Sequence, residues 1–174
     1  MYLTETLNRR DAPLADGERG GPDGRPLVER GERWTVCAVG HAHWGAHGAA
    51  GVLLRYAPTG GLPMFLLAQR SQSVDEPGCW GVPGGACRDD ESPEVTARRE
   101  LHEELVSAPE YRIAMIDVQD CGGWPFWMIV ADVDQRVAVS CGQETEAAGW
   151  FTREQMLDLR LHRGLRRWME RHAL

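Results

Sequence analysis

Apolar side chains in this chain come in short runs fenced by glycine and proline, and that pattern decides most of what it can fold into. WTVCAVG, AAGVLLRY and MFLLAQ follow one another from Trp34 onward, each about the length of one strand and each bounded by turn-forming residues. YRIAMIDVQ and PFWMIVADV flank Gly122 and Gly123, a pair suited to a hairpin turn, and a short AGWF run comes later. Helical segments lie between and after these runs. Ser92 is placed to cap a helix from Pro93 to about Val106, with Pro93 at the favoured first position and Pro109 beyond the end. Thr152 and Gln155 form a capping box for TREQMLDLRL, and LRRWMERHAL follows Gly164 as a second amphipathic piece. Strands interleaved with helices predict a layered α/β or α+β domain without internal repeats.

The 174 residues include about 43% apolar side chains, enough for one domain with a core, and residues 33–174 are assigned to it. Residues 1–32 are rich in glycine, proline and charge and carry few apolar groups to offset ordering entropy, which predicts a flexible N-terminal tail. Nineteen basic and twenty-six acidic residues give a formal charge of −7, so the electrostatic footprint of a duplex nucleic-acid binder is absent. No apolar run approaches the roughly 18 residues of a membrane span, and the first residues lack the apolar block of a signal peptide; the expectation is no membrane partner and a cytoplasmic location. All basic side chains are arginine. A Schiff-base or P-loop lysine is therefore excluded.

The helix from Pro93 carries Glu100, Glu103 and Glu104, three and four residues apart, so their carboxylates share one side. Three like charges that close repel each other unless a cation compensates them, and hard divalent ions take such oxygen ligands. Ala97, Leu101 and Leu105 make an apolar stripe for docking on a sheet. A bare ExxEE also reads as a solvated face balanced by Arg98 and Arg99. The preceding GCWGVPGGACRDDE favours the metal reading, because its proline and paired glycines let the backbone turn and expose carbonyls beside the helix.

Gly85, Glu91, Arg99, Glu100, Leu101, Glu103 and Glu104 together resemble the signature of the Nudix hydrolase family: glycine, five residues, Glu, seven residues, Arg-Glu-aliphatic, one residue, Glu-Glu. A chance match at a given start is on the order of 10⁻⁷ from average composition. The resemblance extends through WGVPGG and HWGAHGAAGVLLRY, is similar to MutT-like members from high-GC bacteria, and spans roughly residues 34 to 165. Val106 and Ser107 stand where the signature ends in glycine and an aliphatic residue. The resemblance implies an α/β/α sandwich with a mixed sheet and a catalytic loop-helix-loop. It also implies Mg²⁺- or Mn²⁺-dependent hydrolysis of a nucleoside diphosphate linked to another moiety, such as a nucleoside triphosphate or ADP-ribose. Glu100, Glu103, Glu104 and the backbone carbonyl of Gly84 are the implied metal ligands, one glutamate doubling as base. Gly85, Glu91 and Arg99 are the implied supports of the box. Many members are dimers, so a homodimer is part of the expectation. A noncatalytic nucleotide-sensing module is the alternative, disfavoured by the complete acidic set.

Glu144, in SCGQETEAAGWF, matches the position of a functional glutamate in MutT-like members and reads as a further catalytic and metal-binding carboxylate, or else as a loop acid facing solvent. For substrate binding, Arg70 suits a phosphate, while Trp124, Phe126 and Trp127 suit either base stacking or packing. His41, His43 and His47 read as polar surface. The five cysteines, with no CxxC pair and no zinc-finger spacing, read as free thiols in a reducing compartment.

Overall fold

The computed structural model describes residues 27–72, 74, 76–105, 109–138, 141 and 145–172. A 3-10 helix, Leu27–Arg30, leads into a small two-stranded sheet of β1 (Trp34–Val36) and β2 (Ala42–Trp44). The larger sheet contains β3 (Ala49–Tyr56), β4 (Met64–Arg70), β5 (Trp80–Gly81), β6 (Gly84–Ala86), β7 (Arg112–Cys121), β8 (Trp124–Val133) and β9 (Thr145–Thr152). Its order is β5-β4-β3-β8-β7, with β6 on β3 and β9 on β4. β3 and β8 run parallel and the other pairs antiparallel, so the sheet is mixed. α1 (Pro93–Glu104), α2 (Arg153–Leu157) and α3 (Arg163–His172) complete the fold.

Side chains alternate across a strand, and here both faces are covered. Val52 and Leu54 of β3, Leu66 of β4 and Ile129 and Ala131 of β8 pack against Ala97, Leu101 and Leu105 at α1. Their neighbours Leu53, Phe65, Leu67, Met128 and Val130 pack the opposite way, against Met156, Leu165, Trp168 and Met169. The result is the expected α/β/α sandwich. Within it β7 and β8 form the anticipated hairpin, closing at Cys121 opposite Trp124.

Several boundaries differ from the sequence expectation. α1 stops at Glu104, not near Val106, because Leu105 takes extended angles (φ −126°, ψ 117°) and bridges Cys141. Pairing with a stretch distant in the same chain ends the helix before Pro109 is reached; Val106 and Ser107 lie outside the described residues. α2 has both bonds of its capping box but ends at Leu157, since Leu161 is drawn into a bridge with Trp80. The short strands β2, β5 and β6 carry too few apolar residues to stand out in the sequence. Residues 1–26 of the expected tail lie outside the described residues; of the remainder, Arg30 and Glu32 are buried.

Asp132 of β8 joins β3 through a forked pair, accepting from Arg55 Nε at 2.7 Å and Nη2 at 3.1 Å. Hydrogen bonding to Arg55 holds the Asp132 carboxyl below its ordinary pKa against an opposing effect of burial. A depressed folded pKa means that this stabilisation is present above the unfolded value of about 3.9 and is lost as pH falls through the folded value. Both side chains are partly exposed, so the effect is about 1 kcal/mol or less. Asp132→Asn is expected to melt slightly below the wild type at neutral pH and to match it near pH 2. Thermal melts at both values check this, and a gap of unchanged size at low pH would rule out the carboxylate charge as its source.

Candidate active site

Ser92 accepts from the Val95 amide and starts α1, and Leu101, fully buried, fixes its rotation on the sheet. That rotation leaves the edge with Glu100, Glu103 and Glu104 facing the β6 loop. β6 is formed by Gly84–Ala86 against β3, with Gly84 opposite Gly51. The glycines are demanded by space. A Cβ on Gly84 would lie 2.5 Å from the Ala50 carbonyl oxygen, and one on Gly85 would run into the Glu100 carboxylate.

Arg99 is the centre of the charge arrangement. Its Nε donates to Glu91 Oε1 at 2.7 Å and Nη2 to Glu91 Oε2 at 2.8 Å, a forked grip. Nη1 donates to Glu100 at 2.6 Å and to Glu103 at 3.2 Å, and Nη2 also reaches the Ala86 carbonyl at 2.9 Å. Burial lowers the Arg99 pKa, but the bonds to Glu91 and the charge of Glu100 outweigh it and the net shift is upward. Glu91 in turn accepts from Thr96 Oγ1 at 2.9 Å and from the Arg88 amide at 3.3 Å. The Gly85, Glu91 and Arg99 positions therefore tie loop to helix.

Glu104 is enclosed between the Gly84 loop and β9. It accepts from the Gly84 amide at 2.9 Å and from Thr145 Oγ1 at 3.3 Å. Burial pushes its pKa up to about 8, opposed by the Gly84 bond, reinforced by the Glu100 charge, and opposed again by Arg70 and Thr145. Arg70 reaches this position through a register shift in the β4–β9 pairing that sets it opposite Thr145. Glu103 is the most open, its side chain 42% exposed against 13% for Glu100.

Among the expected aromatics, β8 sends Trp127 to the α1 side and Phe126 to the α3 side. Trp124 stacks on His43 at 4.2 Å and donates its indole N–H to the Gly45 carbonyl at 2.7 Å. Glu144 lies outside the described residues. Sequence reasoning missed Glu32 and Arg88. Arg88 Nε donates to Glu32 at 2.8 Å and Nη2 reaches Glu103 at 3.4 Å. Burial raises the Glu32 pKa, while Arg30 and Arg99 oppose it. Arg88 lies inside the CRDDE loop, where its position was visible, whereas nothing in the glycine-rich surroundings of Glu32 signals burial.

The donor set fits a hard divalent cation: carboxylate oxygens on one helix edge, and a glycine loop too close to admit side chains. The fold with this site defines a class. The NUDIX domain family matches residues 45–172, and the chain belongs to that family. A Mycobacterium tuberculosis protein named "Putative 8-oxo-dGTP diphosphatase 3" is 37% identical over 141 residues, which are 77% of this chain and 65% of that protein. This chain thus spans just under two thirds of that relative's length. Among solved structures, a Nudix hydrolase from M. smegmatis, RenU, superposes with a TM-score of 0.72 at 30% identity, covering 82% of this chain and 96% of the other. The MutT protein from Methanosarcina mazei Go1 gives a TM-score of 0.55 at 27% identity, over 71% and 89% of the two chains. Among the described residues no helix is long and apolar enough to cross a membrane.

Proposed function

We propose that the chain is a Mg²⁺- or Mn²⁺-dependent pyrophosphohydrolase that cleaves a nucleoside diphosphate linked to another moiety, with a nucleoside triphosphate as the first substrate class. The observation that carries this reading is the convergence of Glu100, Glu103 and Glu104 with the Gly84–Gly85 loop, locked by the Arg99–Glu91 fork. These carboxylates, with the Gly84 carbonyl, would hold the metal. When bound, the cation offsets the negative charge of the phosphates and makes a bound water a better nucleophile. The name of the mycobacterial relative makes an oxidised purine triphosphate the leading candidate substrate.

The chain's own residues do the remainder. Arg99 keeps Glu100 and Glu103 turned toward the loop, and Arg70, beside Glu104, is suited to a substrate phosphate. Trp127 shares the face of α1 and is the first choice for base stacking, ahead of Phe126 and Trp124. Glu144, whose sequence position matches that of a functional glutamate in MutT-like members, is proposed to accept the proton of the attacking water. In the reaction water oxygen bonds to phosphorus, the bridging P–O bond breaks, and the leaving phosphate carries away the bond's electrons.

A panel of dGTP, 8-oxo-dGTP, dATP and ADP-ribose, assayed with Mg²⁺, with Mn²⁺ and with EDTA, tests the reading. Metal-dependent release of a nucleoside monophosphate is expected. Nucleotide binding without turnover under every condition would favour the sensing module instead. Within the same assay Glu144→Gln is expected to lower kcat by roughly 10-fold or more with little change in KM, as loss of a general base does. Glu146→Gln should change neither; a large effect there would transfer the role to Glu146, and no effect at either position would confine catalysis to the box helix.

A further inference from the structure

We propose that Cys37, His41, His43 and Cys121 form a zinc site, separate from the carboxylate cluster, that pins the β1–β2 turn to the β7–β8 turn. One ligand atom from each of the four lies within 4.8 Å of the others. The two sulfurs are 3.9 Å apart, far beyond a disulfide bond of about 2.0 Å and close to the roughly 3.8 Å edge of a tetrahedron with Zn–S bonds of about 2.3 Å. His41 Nδ1 stands 3.2 Å from the Cys121 sulfur. His43 Nε2 is buried without a hydrogen-bond partner, a costly state for a polar atom.

The backbone prepares this arrangement. The Cys37 amide donates to the His41 carbonyl at 2.9 Å and the Gly40 amide to the Cys37 carbonyl at 2.9 Å, so a tight turn brings both residues to one side. Gly40 has φ 86°, which a side chain would strain. The Ala38 amide donates to the Gly122 carbonyl at 2.9 Å, and a Cβ on Gly122 would lie 2.9 Å from the Val39 nitrogen. The second turn is thereby held against the first, with Cys121 at its shoulder. The stack of Trp124 on His43, 8° from parallel, orients the imidazole.

The chemistry selects the ion. Two thiolates and two imidazoles suit a borderline-soft, tetrahedral cation and not Mg²⁺, which takes hard oxygen ligands. Both thiols release their protons to solvent on binding, and the two thiolates neutralise Zn²⁺. The expected free-surface role of His41 and His43 is replaced by a ligand role that only the meeting of two hairpins creates.

Full-length protein, dialysed against Mg²⁺ buffer, is expected to retain one zinc per chain by elemental analysis. Replacement by Co²⁺ should give the intense visible absorption of a tetrahedral ion together with sulfur-to-cobalt charge transfer, which the oxygen-only box cannot produce. Cys121→Ser and His41→Ala should each weaken zinc binding at least about 100-fold, since even outer supports of a metal site cost 10- to 100-fold. His41 is exposed, so its removal leaves the packing intact, and Cys141→Ser serves as the thiol control that keeps the metal. Absence of zinc, a cobalt spectrum without sulfur charge transfer, or a mass lower by two hydrogens from a Cys37–Cys121 disulfide would each overturn the proposal.

Discussion

Glu104→Gln is expected to lower turnover by roughly 10² to 10⁴ while the fold persists, because it removes a carboxylate from the proposed metal-binding set without removing volume. Glutamine can keep both neighbours, its oxygen accepting from the Gly84 amide and its NH₂ donating to the Thr145 hydroxyl. Burial already disfavours the charged form of Glu104, and its pKa is raised to about 8. A raised carboxyl pKa means that ionisation opposes folding as pH rises from the unfolded value toward the folded one. In chelator the glutamine variant should consequently be at least as stable as the wild type at pH 8. Steady-state kinetics over a Mg²⁺ titration and melts in EDTA provide the check. Wild-type turnover at low Mg²⁺ would remove Glu104 from the proposed metal-binding set.

Arg99→Met should have the largest effect on stability. It leaves Glu91 and Glu100, whose side chains are only 15% and 13% exposed, without the guanidinium that joins them. Breaking such a pair from one side costs about 3 to 5 kcal/mol, which for a chain of this size is a drop in Tm on the order of 10 °C. Arg99→Lys should recover only part, since an ammonium cannot reproduce the forked grip on Glu91. Adding Glu91→Gln to Arg99→Met should cost little more than either change alone, because the two residues act as a unit. Chemical denaturation of the four proteins measures the coupling, and strictly additive losses would show that loop and helix are held by other contacts.

Much of the fold is local and was readable on that account. Strand-length apolar runs, the Ser92 and Thr152 caps, and the Gly122–Gly123 turn each act within a few residues, and the corresponding elements formed. The acidic edge was legible for the same reason, since Glu100, Glu103 and Glu104 share an edge by helix geometry alone. The pairing of Glu91 with Arg99 was implied only by the resemblance to the family signature and is seen as a fork in the structure. Where a neighbour distant in sequence intervenes, the reading failed. Leu105 leaves the helix to meet Cys141, and Leu161 leaves it to meet Trp80.

The sequence by itself determined the alternation of strands and helices, the acidic edge of α1 and the family, since periodicity, capping and motif spacing are properties of short stretches. Only the tertiary structure decided that Glu32 is buried beside Arg88, that Arg70 lies opposite Thr145, whose hydroxyl donates to Glu104, and that Cys37, His41 and His43 face Cys121. Each of those meetings depends on strand register and on the docking of one turn against another. Such contacts join residues tens of positions apart, and no spacing along the chain records which of them the sheet brings together.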